Sequence, residues 1–125
     1  MRLLIVDDSD LMRKATRLAF RSAHELHEAI DGVDALAQLA LARQPFDAIV
    51  LDLHMPGMNG VEFLRALQQR HPDLPVVVAS SEPETSPALQ EVRDLGVTAV
   101  LRKPWKPQEL ARAVEDAVGS KRSDR

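Results

Sequence analysis

The chain has 125 residues, a formal net charge of −3 and no cysteine. That length supports one domain around a single core and leaves no room for a catalytic domain beside a substrate domain. A pI near 5.8 gives no basic footprint for nucleic acid or a membrane surface, and the lack of thiols removes disulfides and thiolate metal sites. No apolar stretch approaches the roughly 20 residues of a membrane span. The opening MRLLIVDDS lacks the apolar length and small-residue cleavage site of a secretory signal, so a cytoplasmic location is expected.

Short apolar runs alternate with segments of helical period, five times over, which is the signature of repeated βα units around a parallel sheet. Residues 3–6 form the first predicted strand, rich enough in Leu, Ile and Val to be buried on both faces. Leu11, Ala15, Leu18 and Ala19 follow as one helical stripe packed on the sheet. Arg13, Lys14, Arg17 and Arg21 make a basic side on the same helix, read as a solvated face. Residues 25–29 form a weaker strand with charges and His24 and His27 around it, which suits a sheet edge. Leu36, Leu39 and Ala40 mark the second helix, and residues 48–51 the third strand.

After Asn59-Gly60, Phe63, Leu64 and Leu67 mark the third helix, and residues 76–79 the fourth strand. Ser86-Pro87 is a good N-cap and first helical residue, and Gly96 stops a short fourth helix after about Leu95. Residues 97–101 form the fifth strand. Leu110, Val114, Ala117 and Val118 form the fifth helical stripe, ended by Gly119 in the position a C-cap favours. Residues 1–119 are thus one domain, and residues 120–125 a flexible tail or linker stub. The expected fold is a doubly wound α/β sandwich of three layers, flavodoxin-like, with five parallel strands in the order 2-1-3-4-5. That order puts the weak strands at the edges.

Asp7-Asp8, Asp52 and Lys103-Pro104 each close an apolar run. In an open parallel sheet the carboxyl ends of strands converge on the crevice where ligands bind, so one acidic pocket is assembled from distant segments. Clustered carboxylates raise one another's pKa unless a cation relieves them. An oxygen-rich site suits Mg²⁺, and a nearby lysine suits a phosphoryl group. Taken singly, an Asp at a strand end is as well explained by a turn or a helix cap, and Asp7-Asp8 by charge favourable to a helix N-terminus with Ser9 or Asp10 as cap.

Taken in order, LLIVDDS, DGVDAL, LDLHMPGMNG, VVVASS and RKPWKPQEL resemble the receiver domain of two-component response regulators over essentially the whole chain. The resemblance implies a signalling switch and not an enzyme in its own right. Asp52 would accept a phosphoryl group from a sensor histidine kinase or a histidine phosphotransfer protein. Asp8 would bind Mg²⁺ directly and Asp7 mainly through water, with Asp52 and the backbone carbonyl of His54 as further ligands. Lys103 would contact Asp52 and then a phosphoryl oxygen, with the Lys103-Pro104 bond cis, and Ser80 would hydrogen-bond the phosphoryl group. Output would pass to an effector through helix four, strand five and helix five, with no nucleic-acid or membrane contact by this domain; a phosphorylation-dependent dimer is left open. The basic side of the first helix lies, by the same resemblance, near the kinase-docking surface. Trp105 follows the lysine and offers a fluorescent reporter.

One position departs from the pattern. Receivers commonly carry Tyr or Phe three residues before the lysine, and here that residue is Val100, in a chain without tyrosine. Output is therefore expected to rely on the loop between strand four and helix four. Three other functions fit less well. A phosphatase of the haloacid dehalogenase type wants a second Asp where His54 stands, and a flavodoxin-like cofactor binder wants a first loop without the charge of DDSD. A receiver used only as an interaction module would not need Asp52, its acidic partners and Lys103 together.

Overall fold

A computed structural model describes the backbone of residues 1–20, 25–53 and 60–123, and side chains up to residue 119. The three most apolar runs form the middle of the sheet: β1 (Arg2–Val6), β3 (Ala48–Asp52) and β4 (Val76–Ser80), the last two buried at every residue. The charged β2 (Glu25–Ala29) and the half-buried β5 (Ala99–Arg102) take the edges. All pairings are parallel and the order is β2-β1-β3-β4-β5. Strand charge thus sits where it discourages pairing with other chains.

Helices α1 (Asp10–Ala19), α2 (Gly32–Leu41), α3 (Gly60–Arg70), α4 (Pro87–Asp94) and α5 (Pro107–Ser123) connect and follow the strands. Alternate strand side chains feed two cores. Leu4, Val6, Ile49, Leu51, Val76 and Val78 meet Leu39 of α2, Phe63, Leu64 and Leu67 of α3, and Leu89 and Val92 of α4. On the other face Leu3, Ala48, Val50 and Val77 meet Phe20 and the Leu110, Val114, Ala117 and Val118 stripe of α5. Each fully buried Leu or Val contributes about 1.5–3 kcal/mol, and the α2, α3 and α4 side holds the larger share of the buried apolar residues.

Several expected details differ. Helix α1 buries Arg13 and Thr16, while Leu11 and Leu18 stand exposed. The hydroxyl of Thr16 donates to the Met12 carbonyl at 2.9 Å and Arg13 is ion-paired, so the polar groups on the inner face are satisfied and an apolar stripe is not required there. The basic side is therefore divided: Arg13 is buried, Arg17 pairs with Glu28, and Arg21 lies outside the described residues. In α2 the inner face is Gly32, Ala35 and Leu39, with Ala40 outside.

Strand β5 begins at Ala99, two residues later than expected, although Thr98 already donates its N–H to the Val76 carbonyl at 3.0 Å. Ser86 occupies the N-cap of α4 without a side-chain cap bond. Gly96 does end α4, with φ +81°, a left-handed conformation that costs a Cβ-bearing residue roughly 1–2 kcal/mol. Helix α5 does not stop at Gly119 and runs to Ser123, so the glycine is an interior helical residue and not a C-cap.

Candidate functional site

Strand register decides which side chains meet. Val6 pairs with Leu51, so the next residues, Asp7 and Asp52, emerge side by side from β1 and β3. Asp52 pairs with Ala79, and Ser80 with Arg102. Lys103 extends that last register by donating its N–H to the Ser80 carbonyl at 2.8 Å. Carboxylate oxygens of Asp7, Asp8 and Asp52 lie within 4.8 Å of one another, and Lys103 Nζ is 3.2 Å from Asp52 Oδ1. The sequence thus named residues from separate βα units that the fold brings into one cleft. Asp7 and Asp52 are buried, Asp8 is exposed, and Ser80 is fully buried. His54 lies outside the described residues.

The loop after β1 is held at both ends of one residue. Asp7 donates its N–H to the Ala29 carbonyl at 3.1 Å, and its Oδ1 accepts the Ser9 N–H at 2.9 Å. Ser9 in turn caps α1 by accepting the Met12 N–H at 3.2 Å, so of the two cap candidates Ser9 fills the role. Burial pushes the Asp7 carboxyl above its usual range, and the neighbouring Asp52 and Asp8 push it further, against the Ser9 bond and Lys103. A carboxyl that resists ionisation among like charges is a site that a divalent cation relieves. The donor set is all oxygen, two of its members are buried, and one face opens to solvent through Asp8, which suits Mg²⁺ with retained waters.

Behind the cleft, Gly60 opens α3 with its N–H donated to the Leu53 carbonyl at 3.1 Å. A Cβ there would fall 2.7 Å from Leu53 Cα, so the residue following Asp52 is held by an approach only glycine allows. On the β4 side, the Ser80 hydroxyl accepts the Glu82 N–H at 3.0 Å and Glu84 pairs with Arg93 of α4 at 2.8 Å. The Lys103-Pro104 bond is cis. Trp105 packs on the α5 side of the sheet, and its buried Nε1 has no hydrogen-bond partner among the described residues. A cavity of about 510 Å³ lies elsewhere, at the amino ends of β3 and β4 between Phe46, Asp47, Leu74 and Pro75. It takes no part in the acidic cleft.

Arg13, expected on a solvated basic face, is buried, and its partner Glu28 emerges only from the fold. Arg13 donates to the Asp7 carbonyl at 2.6 Å and to Glu28 at 3.1 Å, and contacts Asp10. The available signal was charge interleaved in β2 opposite an arginine six residues after Asp7, which reads as surface until the pairing of β1 with β2 is known.

The family model described as the response regulator receiver domain matches residues 3–115. A chemotaxis protein CheY homolog of Campylobacter jejuni is 28% identical over 127 residues, covering 96% of this chain and 94% of that protein. The response regulator MprA of Mycobacterium avium is 37% identical over 112 residues, covering 88% of this chain and 47% of that protein. The chain spans 24% of the hydrogenase transcriptional regulatory protein HoxA of Cupriavidus necator, at 31% identity over 116 residues and 93% of this chain. Among solved structures, chemotaxis protein CheY4 of Vibrio cholerae superposes with a TM-score of 0.82 at 33% identity, covering 93% of this chain and 97% of that one. A CheY-like receiver domain protein of Methanospirillum hungatei, at 20% identity and 0.89 over 99% and 98%, shares the fold.

Proposed function

This chain belongs to the response regulator receiver domain family, and from that premise we propose that Asp52 is its phosphoacceptor, loaded from a phosphohistidine on a sensor kinase or phosphotransfer protein. A carboxylate oxygen of Asp52 forms the new bond to phosphorus as the bond from phosphorus to the imidazole nitrogen breaks, leaving an acyl phosphate on the chain and a neutral histidine, once protonated, on the donor. The observation that carries this reading is the cleft itself: Asp52 within 4.8 Å of two further carboxylate oxygens, with Lys103 Nζ 3.2 Å from it. Asp7, Asp8 and Asp52 are the side chains that would hold Mg²⁺, with the His54 carbonyl expected beside them. When bound, the cation offsets charge on the transferring oxygens. Lys103 pairs with Asp52 at 3.2 Å before transfer and, as a compact movable charge, follows the phosphoryl oxygens afterwards.

Ser80 is proposed to donate its hydroxyl proton to the phosphoryl group. Its oxygen already accepts from Glu82, so a shift of Ser80 toward Asp52 draws the start of the loop with it. Val100 is half-buried against the core that contains Leu89 and Val92, and has no ring to swing. Output therefore travels through residues 81–86 and the Glu84–Arg93 pair to the surface of α4, β5 and α5, where an effector docks. The proposed unit is residues 1–119, with residues 120–125 as a tail or linker that begins within α5.

Incubation with acetyl phosphate and Mg²⁺ followed by mass spectrometry tests the assignment. The chain should gain one phosphoryl group, and D52N should gain none. Loading that persists in D52N, or no loading of the native chain, overturns it.

A further inference from the structure

We propose that Arg13 is a positioning residue for the metal site, holding the main chain of Asp7 so that the three carboxylates keep the compact geometry a small divalent cation requires. The inference rests on the Mg²⁺ reading above. Arg13 is only 8% exposed, yet it lies on the first helix of a chain in which the other described α1 cations face solvent. Its Nη1 donates to the Asp7 carbonyl at 2.6 Å, its Nε donates to Glu28 Oε1 at 3.1 Å, and its Nη2 contacts Asp10.

One planar group thus joins the carboxyl end of β1, the end of β2 and the start of α1. Glu28 is itself fixed, with its other carboxylate oxygen accepting from Arg17 at 2.9 Å and its carbonyl accepting from Gln38 at 2.8 Å. With Arg17 also pairing with Glu28, the carboxylates of Asp10 and Glu28 balance the two guanidinium charges, so Arg13 adds geometry to the cleft and little net field. A guanidinium makes these contacts from a rigid fork; an ammonium can meet only part of them.

Asp7 is then tied at its N–H by Ala29, at Oδ1 by Ser9 and at its carbonyl by Arg13. Losing the last tie frees the peptide that follows, which carries Asp8. Partners of this kind, one step removed from the ligands, change metal affinity by about 10–100-fold. Mg²⁺ demands near-octahedral geometry, whereas Ca²⁺ accepts six to eight ligands at longer distances. A loosened cleft should therefore lose Mg²⁺ selectively.

The test is titration of the full chain with Mg²⁺ and with Ca²⁺, followed by Trp105 fluorescence and by calorimetry. R13K should raise the Kd for Mg²⁺ about tenfold while changing that for Ca²⁺ less than about twofold, with unchanged far-UV dichroism. E28Q, which leaves the Asp7 contact and weakens its anchor, should shift Mg²⁺ in the same direction by a smaller factor and carries the test where R13K does not fold. Equal weakening of both cations, or no change in either variant, overturns the proposal while leaving Mg²⁺ binding by the native chain intact. A native chain that takes up no Mg²⁺ removes the metal reading and this inference together.

Discussion

Asp7 shows how burial and crowding set the chemistry of a single carboxyl. Its pKa is raised by burial first, then by Asp52 and Asp8. A raised carboxyl keeps its proton in the folded chain at pH values where the unfolded chain has lost it, so stability falls as pH rises through the window between the ordinary and the raised value. Cation binding displaces that proton and should tighten over the same window. D7N, which keeps an oxygen acceptor for Ser9, should flatten this pH dependence and stabilise the metal-free chain by roughly 1 kcal/mol, the order of one like-charge contact at the dielectric of water. It should also weaken Mg²⁺ binding at least tenfold. With Mg²⁺ at about 100 times its Kd the order reverses, because binding then stabilises the native chain by about 2.7 kcal/mol. Thermal melts against pH, with and without Mg²⁺, check both statements.

At the scale of elements, the join between β3 and α3 carries the tightest constraint. Gly60 would place a Cβ 2.7 Å from the Leu53 main chain, so G60A must displace the residue next to Asp52 or shift α3. The expected cost is about 1–3 kcal/mol, as for other overpacked sites. The rate of phosphorylation by acetyl phosphate should fall by more than that stability loss explains, since nucleophile placement changes; denaturant melts beside loading rates measure the two separately. Helix α1 teaches the converse lesson. Its Leu11, Ala15, Leu18 stripe is apolar by period, yet Leu11 and Leu18 are exposed and Arg13 and Thr16 face inward. Periodicity finds a helix reliably, but the face it buries is decided by what the neighbouring strands offer. Where β2 presents Glu28 and the end of β1 the Asp7 carbonyl, an arginine wins that face. In α3 and α5, which meet aliphatic surface, the predicted and observed stripes coincide.

For the whole molecule, the parallel sheet converts distance in sequence into proximity at one edge. Asp7, Asp52, Ser80 and Lys103 follow or end successive neighbouring strands in the order β1, β3, β4, β5. Any movement of Ser80 toward Asp52 is shared with Glu82 through the hydroxyl bond and with Lys103 through the Ser80 carbonyl. Val100 pairs with Val78 in the sheet and packs on the α4 side. Crystals of the free and beryllofluoride-bound chain should show residues 81–86 displaced with Val100 stationary. A loop that keeps its position on binding removes the proposed route of output.

The amino-acid order by itself determined the five βα units and the central and edge strands, because burial on two faces demands continuous aliphatic runs and leaves carboxylates only where strands end, and its motifs carried the resemblance to the family. It also named Asp7, Asp8, Asp52 and Lys103 by residue type and spacing, and Ser80 by the resemblance those motifs carry. Tertiary structure alone decided that Arg13 belongs inside and that Gly60 is fixed by Leu53. Those outcomes depend on which surfaces meet across the fold, and such contacts between distant segments leave no periodic trace along the chain.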